Sequence, residues 1–186
     1  MNGRIYEGLA ARIERRPDCQ LYHSALEVAV PEGRFVIEMA PIPDRNGTGR
    51  GVVAEGAVGS RIVERFRIFR YEIRRWRGGE IPDLEEAVDS PRELSCGVER
   101  ARLLLELVPR VPTPVWGRDE LGAGEMWNSN SLTSWLLVRA GFEIDSIVPP
   151  AGGRAPGWRA GIAVANRAKS SAGASAISRN AIQRTR

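Results

Sequence analysis

The stretch MWNSNSLTSWLLVRAG, residues 126–141, decides the reading of this chain. Leu132, Trp135, Leu136 and Ala140 recur at helical spacing, which predicts a helix from about Ser129 to Ala140. Gly141 supplies its stop. Asn128, Ser129 and Asn130 are all residue types that cap a helix N-terminus. Ser129 stands where loop becomes helix. Unpaired backbone N–H groups and the positive end of the helix dipole gather at such a point and stabilise an anion. A hydroxyl there is a helix cap in its plainest role and a nucleophile in its most interesting one.

Outward from this helix the chain alternates between strand and helix patterns. Residues 21–30, LYHSALEVAV, read as a strand. Pro31, Glu32 and Gly33 make a turn, and Arg34 to Met39 reads as a second strand, so the pair predicts a β-hairpin. Residues 51–58 read as a weak strand, and RFRIFRYEIRRW, 65–76, as a long one that Gly78 and Gly79 break. Val98, Ala101, Leu104, Leu105 and Val108 predict a helix over 97–108, with Ser95 as its cap and Pro109 as its end. Residues 109–126 are loop, 160–165 read as a last strand, and 3–16 as a short amphipathic helix. This order indicates an α+β domain, an antiparallel sheet packed against helices.

Charge separates body from tail. Five of the 27 Lys and Arg residues and none of the 23 acids lie in 166–186, which leaves 22 cations against 23 acids in the body. The expected organisation is one domain over 1–165 and a flexible, disordered basic tail over 166–186. A near-neutral body argues against nucleic acid as its partner. No apolar run is long enough to span a bilayer, and Arg4, Arg12, Arg15 and Arg16 leave no room for a signal peptide in the first twenty residues. Cys19 and Cys96 are too few and too far apart for a metal cage or a disulfide scaffold, so the expected setting is cytoplasmic, with no metal and no cofactor.

His23 is the only histidine, so any general base of that type must be His23. A strand histidine, a hairpin whose second strand reads VIE, and a late helix opening WNSNSLTSWLL together resemble the circularly permuted papain-like superfamily. That group includes NlpC-type peptidases and lecithin–retinol-acyltransferase-like enzymes. The resemblance covers about 21–39 and 126–141. It implies a permuted papain-like fold in which His23 is the base, Glu38 its orienting residue and Ser129 the nucleophile. The family usually has Cys where this chain has Ser129. A hydroxyl is much harder to deprotonate than a thiol of pKa about 8.5, so Ser129 requires general-base help from His23.

On this reading the three backbone N–H groups of Ser129–Ser131 bind the oxyanion, Asn128, Asn130, Ser131 and Trp127 line the oxyanion site and cleft, and Trp116, Trp127 and the 109–126 loop wall the cleft. The function implied is hydrolysis or acyl transfer at an amide or ester bond of a small-molecule, peptide or acyl substrate. The alternative is a catalytically inactive binding protein on the same fold. Two rivals compete for the nucleophile's role: Ser131, further into the helix, and Cys96, near the start of the first helix. Hairpin register leaves the side of Glu38 open. A two- or four-residue loop puts it on the face of His23, and a three-residue loop puts it on the other.

Overall fold

The structure is a computed structural model and describes residues 20–42, 51–81, 84, 92–94, 96–149, 151 and 153–183. Strands β1 (Gln20–Leu21), β2 (Leu26–Val30), β3 (Gly33–Pro41), β4 (Val52–Ala57) and β5 (Arg70–Arg77) precede helix α1 (Val98–Leu107) and helix α2 (Ser129–Arg139). The two-residue strand β6 (Gly153–Arg154) and helix α3 (Trp158–Gln183) follow. The class is α+β. Strands β2, β3, β5 and β4, in that spatial order, form an antiparallel sheet, while β1 and β6 pair in parallel apart from it. The 3–16 helix and the Ser95 cap expected from sequence lie outside the described residues.

The hairpin forms as its turn residues dictate. Val30 faces Gly33 across the two-residue loop Pro31–Glu32. Pleating then sorts β3 into two sets of side chains. Ile37 and Met39 join Val28, Tyr71 and Ile73 in the main core with Leu104, Leu105, Leu132 and Leu136 of the helices. Glu38 points the other way, opposite Arg74 of β5. Every residue of α2 from Ser129 to Val138 is buried. This is a central helix, and its serines and asparagines are enclosed along with its leucines.

Two sequence expectations are corrected. The long strand over 65–76 is a strand only from Arg70; before it come 3-10 turns at Arg61–Val63 and Arg67–Phe69. Strand β4 meets β5 up to the Ala57–Arg70 pair, so the earlier residues lack that neighbour. The strand expected at 160–165 is part of α3. Its apolar residues are small, and Ala160 and Ala165 are buried. At Gly161 a Cβ would collide with Ser134 Oγ and the Ser131 carbonyl, so the absence of a side chain lets α3 lie close on α2. The helix runs on without a break through residue 165 to Gln183, so the boundary drawn from composition is not a boundary in secondary structure.

Candidate active site

Helix α2 begins with a capping box. Asn128 Oδ1 accepts from the Asn130 and Ser131 N–H groups at 2.9 and 3.4 Å, and Ser131 Oγ accepts from the Asn128 N–H at 3.1 Å. Ser129 is therefore the first helical residue rather than the cap. Its side chain is not used by the cap, and its Oγ meets His23 Nδ1 at 2.6 Å across 106 residues of sequence. Ser129 is 4 % exposed, whereas His23 is exposed.

His23 arrives by a different route from the one expected. Residues 22–25 leave the sheet, and β2 starts only at Leu26. The segment is held instead by parallel pairing of Gln20 and Leu21 with Gly153 and Arg154, extended by Tyr22 N–H to the Arg154 carbonyl at 2.8 Å. Asn130 grips both residues beside the imidazole. Its Nδ2 donates to the Tyr22 carbonyl at 2.9 Å, and its Oδ1 accepts from Ser24 Oγ at 2.9 Å. The same Nδ2 reaches the Pro156 carbonyl at 2.9 Å, which Asn128 Nδ2 also meets at 2.8 Å. The two asparagines thus tie the helix N-terminus to the histidine segment and to the 153–157 segment beside it.

Several expected roles change. The two-residue hairpin loop is the register that would bring Glu38 to the side of His23, but His23 is not in the strand, so parity does not apply to it. Glu38 pairs with Arg74 Nη1 at 3.3 Å, and Glu72 with Arg74 Nε at 3.0 Å, all three buried on the sheet face away from the main core. Among the described residues no hydrogen bond joins Glu38 to His23, so Glu38 does not orient the imidazole. The Asn130 and Ser131 N–H groups are taken by the cap, which leaves the Ser129 N–H as the one of the three not engaged by it.

Ser131 Oγ donates to the Gly157 carbonyl at 2.8 Å and is fully buried, so it closes the cap and does not compete as nucleophile. Cys96 is exposed ahead of α1, and the hydrogen bond of the imidazole goes to Ser129. Trp127 belongs to the core at 2 % exposure rather than to a cleft wall. Its backbone is fixed by bonds to Gly117 and Arg118, both at 2.9 Å, which sets the entry into Asn128. Trp116 is half-buried, edge-on to Tyr71 with ring centroids 5.7 Å apart. Burial pushes the Tyr71 hydroxyl well above the ordinary phenol pKa, and as a neutral donor it bonds the Pro114 carbonyl at 2.8 Å.

Sequence reasoning missed the contribution of Gly157. It adopts φ +84°, and a Cβ there would lie 2.5 Å from Asn128 Oδ1 and 2.7 Å from Ser131 Oγ. Gly157→Ala is expected to cost about 2–4 kcal/mol, as left-handed strain and overpacking act together on the capping box. Urea denaturation measures that loss. Among the described residues no group of three or more His, Cys, Asp or Glu side chains could hold a metal ion, and no helix is long and apolar enough to cross a membrane. Searches with protein-family models, against curated proteins and against solved structures find no match, so the case for a function rests on this site alone.

Proposed function

We propose that the protein is a hydrolase or acyltransferase acting on an amide or ester bond through a Ser129–His23 dyad, on a fold akin to the permuted papain-like one. The observation that carries this reading is the 2.6 Å contact between His23 Nδ1 and a hydroxyl at the N-terminus of a buried helix. With Nδ1 unprotonated, the imidazole accepts the Ser129 proton as Oγ attacks the carbonyl carbon, then returns it to the leaving group. The developing oxyanion is stabilised by the positive end of the α2 dipole and by the Ser129 N–H. Asn130 serves as a positioning residue, because it holds the Tyr22 carbonyl on one side of His23 and the Ser24 hydroxyl on the other.

A fluorophosphonate probe tests this reading. The folded chain is expected to label at Ser129, and Ser129→Ala to abolish labelling. His23→Ala should slow it by about a thousandfold, within the range for loss of a general base. Asn130→Ala should slow it by about tenfold through loss of positioning. Absence of labelling in folded protein would favour the second reading, a binding protein on the same scaffold. The burial of Ser129 is the observation on that side.

A further inference from the structure

Between β4 and β5 the chain carries an unusual surface. Ile62, Phe66, Ile68 and Phe69 are 82, 50, 78 and 38 % exposed, and neither of the two 3-10 turns that hold this segment buries a residue. Four large apolar side chains are exposed within eight residues of sequence, a density unlike that of scattered surface hydrophobes. Cations are interleaved with them. Arg61 is neutralised by Glu120 through bonds of 3.1 and 2.8 Å, and Arg70 by Glu55. Arg65 lies over the Phe66 ring at 4.8 Å, and neither Arg65 nor Arg67 has a carboxylate partner among the described residues. Glu64 is the only acid in the segment.

We propose that residues 61–69 form an interfacial anchor for an anionic lipid surface. Isoleucine and phenylalanine side chains enter the boundary between headgroups and acyl chains, while the Arg65 and Arg67 guanidinium groups stay at the level of the lipid phosphates and bind them. Charge disfavours a second copy of this chain as the occupant, since a two-fold contact would set two patches carrying the same Arg65 and Arg67 cations face to face. The segment is held in place before any lipid arrives. Val58 N–H donates to the Phe69 carbonyl at 2.7 Å, Gly59 N–H to the Trp116 carbonyl at 3.0 Å, and Arg118 Nε to the Gly59 carbonyl. Little further ordering is then needed on binding. The segment that supports the anchor, 115–127, is the one that leads into Ser129, so the lipid surface and the dyad share one support.

The test is sedimentation of the full chain with phosphatidylcholine vesicles containing about one-third phosphatidylserine, chosen for its negative surface potential. The chain is expected to partition into these vesicles. Phe66→Ser with Ile68→Ser should lower the partition coefficient by about a hundredfold, as two apolar side chains leave the interface. Arg65→Glu with Arg67→Glu should lower it by at least about tenfold, and so should omission of phosphatidylserine. These side chains lie outside the main core, so both variants should keep the melting temperature of the wild type. Failure of the wild-type chain to partition would overturn the proposal. So would equal partition of either folded variant, or a wild-type dimer without vesicles that Phe66→Ser with Ile68→Ser dissolves.

Discussion

Replacing Ser129 by cysteine, with Cys19 and Cys96 first changed to serine, is expected to create a thiol that iodoacetamide alkylates about thirtyfold faster at neutral pH than an ordinary thiol. An unperturbed thiol of pKa about 8.5 is only a few per cent thiolate there. At position 129 the same group would sit at the first residue of a buried helix with an imidazole Nδ1 in contact, as Oγ does at 2.6 Å. The helix N-terminus and a proton acquired by His23 both favour the thiolate. Adding His23→Ala removes the larger of the two effects, and the rate should fall by about tenfold or more. The outcome that counts against the dyad is an ordinary thiol rate that His23→Ala leaves unchanged. Because no substrate is required, the measurement separates the geometry of the site from the identity of what it acts on.

The second large effect concerns Glu38, which the resemblance placed in catalysis and the fold uses elsewhere. Arg74 is 2 % exposed and holds both Glu38 and Glu72, which are 7 and 4 % exposed. Arg74→Met would leave two buried carboxylates facing one another with no cation between them. Breaking a buried charge pair in this way costs about 3–5 kcal/mol, a large share of the stability of an ordinary domain. Glu38→Gln keeps an acceptor for Arg74 and should cost only about 1–2 kcal/mol. It should also leave the Ser129→Cys alkylation rate unchanged, whereas a residue that orients His23 would alter it.

The parts of the fold that local chemistry determines could be read from the sequence. The α2 helix announced itself through its apolar spacing, its asparagine cap and Gly141, and it runs from Ser129 to Arg139 with Asn128 as cap and Gly141 at φ +82°. The hairpin followed from Pro31, Glu32 and Gly33. Residues 65–69 misled because alternating Arg, Phe and Ile has the period of a strand. What decides the outcome there is whether a neighbouring strand is present, and β4 ends at Ala57. Residues 160–165 misled in the opposite direction. A short run of Ala, Gly, Ile and Val has no marked period, and its burial against α2 is a long-range fact.

At the site, residue type pointed to Ser129 and His23, since a chain with one histidine offers one candidate. The roles of their neighbours were not legible. An asparagine at a helix start looks the same in sequence whether its side chain caps the helix, as at Asn128, or clamps a distant strand end, as at Asn130. The orienting role of Glu38 came from the resemblance alone. Residues 22–25 leave the sheet and Arg74 holds the carboxylate, and both facts separate it from the imidazole.

Because His23 is the only histidine in the chain, a single imidazole contributes to the nitrogen NMR spectrum of the labelled protein. That spectrum tests the Ser129–His23 contact most directly. In the neutral imidazole Nε2 is expected to carry the proton and Nδ1 to appear as an unprotonated acceptor, with its resonance displaced by the Ser129 hydroxyl and moved by Ser129→Ala. A proton on Nδ1, or an Nδ1 resonance that Ser129→Ala leaves in place, would contradict it.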